Sequence, residues 1–266
     1  MYYRRSKLEK VFNENNISDV VDYIYNMDTN NYKQMKKLNT WFIDNWFQVD
    51  VGIGVSSSEK HKLNPIFRAM SEVFPEEDED WANYAPLHRG RVSKSFQQKL
   101  SVFLFDVPHT GCVNLGKYRG LLFQAYLKEF KGDVVATEKF LNNAERIKIP
   151  DSLVKLDFIQ DIAKLAYGTR SWSLDKGTAM HWGWERPTAA GSHIDGFVFM
   201  YMKPTPKELL FSVNGYMHHY EDVSNGREIP GFDWDEAILS IEDLKVHSLY
   251  LFPGENQCRY EVILSK

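Results

Sequence analysis

The chain has 266 residues, 43% of them hydrophobic, and a formal net charge of −4. That composition supports a sizeable core and argues against global disorder, and the charge argues against a protein whose main task is to coat nucleic acid. Two cysteines, Cys112 and Cys258, lie far apart with no Cys-x-x-Cys partner, a pattern that predicts neither a disulfide scaffold nor a zinc module and fits a reducing cytosol. No apolar run is long enough to cross a bilayer, and none follows Arg4-Arg5, so the expectation is a soluble cytoplasmic protein with no membrane partner and no signal peptide.

Residues 1–80 read as a helical N-terminal lobe. Leu8, Val11 and Phe12 stand at helical spacing, and Ser18 is placed to cap a run over 20–25. Asn30-Asn31 break that run. Residues 32–47 then carry Met35, Leu38, Trp41, Phe42 and Trp46 as a broad helical stripe. Gly52 and Gly54 interrupt, a further helix is expected from Ser56 towards Phe74, and Pro65 inside it should end or kink it. An acidic break at 75–80 closes the lobe. Its alternative is a separate helical binding module.

Residues 81–266 read as the second domain. The first strand is expected over 84–92, with Pro86 at its start, Arg89 at the end of a short apolar approach, and Gly90 behind it. A guanidinium fork suits a diphosphate, and glycine lets a ligand approach the backbone. The plainer reading of Arg89 is a surface ion pair. Residues 93–105 and 118–130 mix apolar and basic residues, and Leu121, Leu122, Tyr126 and Phe130 predict a helix before the turn at Gly132-Asp133. His109 and Cys112 read as loop residues, since two ligands do not make a metal site. Residues 152–166 read as one amphipathic helix.

That helix leads into Arg170-Ser171-Trp172-Ser173-Leu174-Asp175-Lys176, followed by Ala179-Met180-His181-Trp182. In a strand, Ser171 and Ser173 share a face and Trp172 takes the other. Ser173 can also cap the helix that follows, with Asp175 in its first turn. Such a corner offers backbone N–H groups to a phosphate-bearing ligand, and its plain alternative is a capped helix after a strand. Residues 183–196 read as a loop, 197–202 as a strand buried on both faces, and 209–213 as the next strand. His218-His219 reads as part of a strand, where adjacent rings point to opposite faces, so no shared metal is expected there or elsewhere. Turns at 225–226 and 230–231 precede Glu236, which opens an apolar strand, and further strands are expected over 244–252 and 260–264.

Three blocks stand in order: Pro86-Leu87-His88-Arg89-Gly90, the Ser-x-Ser block with its Asp-Lys pair, and Glu236 entering Ala237-Ile238-Leu239. This order resembles the Arg–Ser–Glu class of mono-ADP-ribosyltransferases, most closely the tailed-phage (bacteriophage) enzymes that modify host proteins. The resemblance covers residues 84–264. It implies an α+β fold in which a helical N-terminal lobe lies on two packed, mainly antiparallel β-sheets with NAD between them. It implies Glu236, Ser171 and Arg89 as catalytic residues, and Arg89, Gly90, Ser171, Ser173 and Trp182 as contacts of NAD, which is a substrate; His181 is the alternative to Trp182 on the nicotinamide side. The implied reaction is NAD-dependent transfer of ADP-ribose to a host protein of transcription or translation, with an arginine acceptor favoured.

The insertion between Arg89 and Ser171 is longer than the class requires and should hold extra helices or a target-facing segment. The class also has Glu or Gln two residues before the catalytic glutamate, where this chain has Trp234, flanked by Asp233 and Asp235. Glu221 and Glu242 are rivals to Glu236. Two alternatives follow: a catalytically weak or inactive NAD-binding or interaction protein of the same fold, and a transferase that binds or modifies nucleic acid, which is less favoured.

Overall fold

The computed structural model describes residues 17–43, 46, 60–75, 86–106, 114–185, 196–227, 236–254 and 258–266. Within them the chain is α+β. The helices are α1 (Ile17–Asn26), α2 (Tyr32–Phe42) and α3 (Asn64–Val73), then strand β1 (Leu87–Val92). Next come α4 (Lys94–Phe105), α5 (Leu121–Glu129), α6 (Val134–Asn143), strand β2 (Ile147–Lys148), and the short α7 (Asp151–Val154) and α8 (Asp157–Gln160). Strand β3 (Gly168–Ser173) leads to α9 (Lys176–Met180) and strand β4 (Gly196–Tyr201). Strand β5 (Leu209–Ser212), α10 (Val213–Ser224), β6 (Glu236–Ile241), β7 (Lys245–Pro253) and β8 (Cys258–Ser265) complete the order.

The chain divides into two compact units. The first gathers Met1–Asn83 with Gly168–Trp172 and Thr205–Glu242; the second gathers Tyr84–Tyr167, Ser173–Pro204 and Asp243–Lys266. The N-terminal helices therefore share a unit with later strands, which differs from a division into 1–80 and 81–266.

In the first unit the strands hydrogen-bond in the order β3-β6-β5. Asn31 acts as the cap of α2, its side chain accepting from the backbone N–H groups of Lys33 and Gln34. Ser18 lies inside α1, so it is not the cap expected of it. A 3-10 turn over Lys60–Leu63 ends where α3 begins, and Pro65 sits in the first turn of α3, where a missing N–H is harmless and a fixed φ helps. The apolar stripe expected over 32–47 is present, with Met35, Leu38, Trp41, Phe42 and Trp46 all buried. These side chains form one core with Ile66, Phe67 and Met70 of α3, Phe211 of β5, Tyr216 of α10 and Ile238 of β6. The ring of Phe67 stacks on Phe42 at 5.9 Å and on Phe211 at 6.3 Å, and meets Trp46 edge-on at 4.7 Å.

The residues around His218-His219 are helical, not a strand. Val213, Tyr216, Met217, Tyr220 and Ser224 recur at helical spacing and are buried in α10, and this burial selects the helix. Nε2 of His219 lies 2.9 Å from the Thr29 carbonyl oxygen. Among the described residues no group of His, Cys, Asp and Glu is arranged to hold a metal ion, and no helix is long and apolar enough to cross a membrane.

In the second unit the strand order is β2-β7-β8-β4-β1, with Ser173 at the end of β3 paired to His88. The β1–β4, β2–β7 and β7–β8 pairs are antiparallel and β4–β8 is parallel, so the sheet is mixed. The registers align Gly90, Val198, Glu261, Tyr250 and Lys148 as one cross-strand row, and Arg89, Phe199, Val262 and Leu249 as the next. Adjacent rows point to opposite faces. The face of Phe199 is aromatic, with Phe197 stacked on Phe199 at 6.0 Å and on Tyr260 at 5.4 Å. The face of Gly90 carries α9 and the π-turn His181–Glu185.

The insertion between Arg89 and Ser171 holds α4 to α8, as its length implied. The single helix expected over 152–166 is instead α7, α8 and a 3-10 turn Asp161–Ala166. Leu156 is extended at the break and 41% exposed. The side chain of Gln160 donates to the carbonyls of Val154 and Val246 and accepts from the Val246 N–H, so it satisfies backbone groups that the break and the strand leave over. Cys258, at the head of β8, is disulfide-bonded, which corrects the expectation drawn from cysteine spacing.

Candidate functional site

Strand β3 brings a row of hydroxyls into register. Thr169, Ser171 and Ser173 alternate with Arg170 and Trp172, and all but Ser171 are buried. In the first unit, the Ser171 hydroxyl donates to Oε1 of Glu236, the first residue of β6, across 65 residues of sequence. Glu236 is 7% exposed. A hydroxyl donor at this position orients the carboxylate. The rivals are placed elsewhere: Glu221 lies in α10, and Glu242 follows the end of β6. Asp233, Trp234 and Asp235 lie outside the described residues, as do His109 and Cys112.

Two further strand residues, Thr169 and Ser240, and Asn64 of α3 were not singled out in the sequence and are joined by hydrogen bonds. The Thr169 hydroxyl donates to Oδ1 of Asn64 at 2.5 Å, and Nδ2 of Asn64 donates to Oγ of Ser240 at 3.4 Å. The hydroxyl spacing of Thr169 and Ser171 was a usable signal in the sequence. Nothing local to Asn64 pointed to strands more than a hundred residues away.

Arg89, Gly90, Ser173 and Trp182 belong to the second unit. Arg89 is 8% exposed and shares its face of the sheet with Phe199. Gly90 has a packing reason of its own. A Cβ there would lie 2.1 Å from the Ala179 carbonyl oxygen and 2.5 Å from the Gly183 nitrogen, so the chain's own backbone fills the space that was assigned to a ligand. Trp182 is 40% exposed and meets His181 edge-on at 5.8 Å.

The Ser-Leu-Asp-Lys run is explained by local bonding. Asp175, rather than Ser173, caps α9: its carboxylate accepts from the N–H groups of Gly177 and Thr178 and from the Thr178 hydroxyl. The N–H groups of Thr178 and Gly177 hold this carboxyl below its ordinary pKa. Ser173 accepts from the Asp175 N–H at 3.0 Å. Lys176 pairs with the buried Glu261 of β8, whose other oxygen receives Arg146 at 2.9 Å. The Arg146 guanidinium lies 3.7 Å above the Tyr250 ring. His88 is 6% exposed, and burial, then the charge of Lys176, pushes its imidazole below the usual pKa.

No family model, curated protein or solved structure matches the chain.

Proposed function

We propose that the chain is a glycosyl-transferring enzyme that uses NAD as substrate, with Glu236 and Ser171 at its reacting centre. More particularly, it is a mono-ADP-ribosyltransferase of the Arg–Ser–Glu kind, acting on a host protein and releasing nicotinamide. The observation that carries the reading is the hydrogen bond from Ser171 to Glu236. These two residues were picked out by the order of sequence blocks alone, and they meet as a catalytic carboxylate and its orienting hydroxyl would. The reading includes the class's two-sheet fold.

In the proposed reaction the bond between C1′ of the ribose and the nicotinamide nitrogen breaks, and nicotinamide leaves with the electron pair. The sugar acquires oxocarbenium character. The Glu236 carboxylate, held in plane by Ser171, accepts from the 2′-hydroxyl and sets negative charge beside C1′. A lone pair on the acceptor side chain attacks C1′, and the acceptor's proton passes to solvent. Arg89 is assigned the diphosphate because a guanidinium fork matches two phosphate oxygens. Ser173 and Trp182 retain assigned roles as NAD contacts, whereas the case for Gly90 is weakened by its packing.

The test is incubation of a bacterial lysate with biotinylated NAD, using the intact protein, Glu236→Gln and Arg89→Ala. Removing a group that stabilises transition-state charge costs on the order of 100-fold or more in rate, so labelled bands should vanish with Glu236→Gln. Labelling that persists undiminished in that variant would remove Glu236 from the mechanism. NAD binding without transfer by any form would favour the interaction-protein alternative.

A further inference from the structure

We infer that Asn64, at the start of α3, is a positioning residue for the Ser171–Glu236 pair, acting through Thr169 and Ser240. The inference rests on the reading of that pair as catalytic. On β3, Thr169 stands two residues from Ser171 and points to the same face; on β6, Ser240 stands four residues from Glu236, again on the same face. Asn64 joins these two positions. Its Oδ1 accepts from Thr169 and its Nδ2 donates to Ser240, so one planar amide links both strands that carry the pair. An amide offers an acceptor and a donor in a fixed plane, which a carboxylate or an aliphatic side chain does not.

The anchor is stiff for three reasons. Pro65 fixes the backbone just after Asn64. Ile66, Phe67, Ala69 and Met70 seat α3 in the core. Ile238, between Glu236 and Ser240 on β6, is buried in that same core. Thr169 is 1% exposed, so its hydroxyl depends on Asn64 for a partner in place of water. At strand spacing, Thr169 is roughly 7 Å and Ser240 roughly 13 Å along the backbone from the pair. The role is thus to hold two strands in register, and the N-terminal helices enter the reaction as the part that fixes the carboxylate.

The test compares NAD cleavage by wild type, Asn64→Leu, Thr169→Val and Thr169→Ser, with hydrogen exchange on the β3 and β6 amides of each. Small misplacements of reacting groups cost large factors in rate, so kcat should fall about tenfold in Asn64→Leu and Thr169→Val while KM for NAD stays within about twofold. Thr169→Ser, which keeps the hydroxyl, should restore kcat. The double variant should be no worse than Asn64→Leu alone, because that change already removes the bond to Thr169. Wild-type kcat in both Asn64→Leu and Thr169→Val, beside an active wild type, overturns the inference and leaves the proposed function standing. If the wild type does not cleave NAD, the proposed function fails, and exchange alone decides the tether. Faster exchange in Asn64→Leu and Thr169→Val but not in Thr169→Ser supports it, and unchanged exchange overturns it. Thr169→Val, which swaps a hydroxyl for a methyl, keeps the test decisive if Asn64→Leu does not fold.

Discussion

Replacing Gly90 by alanine separates two explanations of one residue. The new Cβ would stand 2.1 Å from the carbonyl oxygen of Ala179, 2.5 Å from the nitrogen of Gly183 and 2.8 Å from the Cβ of Trp182. Carbon and oxygen ordinarily approach no closer than about 3.3 Å, so α9 and the π-turn must retreat by about 1.2 Å. Retreat is resisted, because Trp184 and Ala179 are packed with Val198 and the Trp184 indole N–H donates to the Tyr260 carbonyl at 3.3 Å. Overpacking costs roughly 1–3 kcal/mol, and two backbone neighbours out of three put this site near 3 kcal/mol. For a chain of this size that is a fall in Tm of roughly 6–12 °C. Gly132→Ala is the control: its φ is +87°, but nothing lies near its missing Cβ, so it carries only a conformational cost of about 1–2 kcal/mol. The assay is urea denaturation followed by far-UV circular dichroism and tryptophan fluorescence. A Gly90→Ala protein that unfolds at the wild-type midpoint would refute the packing argument. Loss of NAD cleavage at unchanged stability would return Gly90 to the ligand.

Three further outcomes follow from the packing and the charges. Phe67 is fully buried between Phe42, Phe211 and Trp46, so Phe67→Ala should cost about 3–5 kcal/mol in the denaturation midpoint, and a cost below 1 kcal/mol would contradict that core. The native His88 ring has a lowered pKa, so the folded protein holds it neutral while the unfolded chain takes up a proton near the usual value of about 6.5. Its contribution is therefore intact above that pH and is lost as pH falls below it. In His88→Gln the stability difference between pH 7.5 and 5.5 should shrink, and equal pH slopes in the two proteins would count against a buried neutral ring. Asp175→Ala should cost about 1 kcal/mol near neutral pH through the lost cap. Because the native carboxyl is held low, that cap contributes above the ordinary carboxylate pKa of about 3.9 and fades as pH falls through the native value. A thermal melt of the variant that tracks wild type at pH 7 would dismiss the cap.

Much of the first unit was legible because apolar periodicity and burial agree. The stripe from Met35 to Phe42 and the strands β5 and β6 bury their apolar residues in regular patterns, as β4 does in the second unit. The helix α10 was not legible, because β5 runs into it without a glycine or proline, and its Tyr and Val residues are types enriched in strands. Burial of Tyr216 and Tyr220, set by distant partners, settles it as helix. Residues 152–166 failed for a related reason: the stripe of Leu153, Ile159 and Ile162 is buried, but Gln160 bonds to the backbone of a strand 86 residues on. At the candidate site, residue type and order singled out Ser171 and Glu236, which the structure joins by a hydrogen bond. The neighbour that fills the space beside Gly90 was hidden in contacts that no local pattern encodes.

The discontinuous make-up of the first unit has a consequence for synthesis on the ribosome. Phe67 is made 144 residues before Phe211 (211 − 67) and 171 before Ile238 (238 − 67), yet all three share one core. At roughly 5–20 residues per second, the apolar side of α3 waits about 7–29 s for Phe211 to be translated. During that interval the nascent helices carry Phe42, Phe67 and Met70 without their final covering, a state that attracts chaperones or neighbouring nascent chains. A chain halted at residue 83 would leave that apolar side permanently short of its partners and would aggregate rather than yield a separate helical domain.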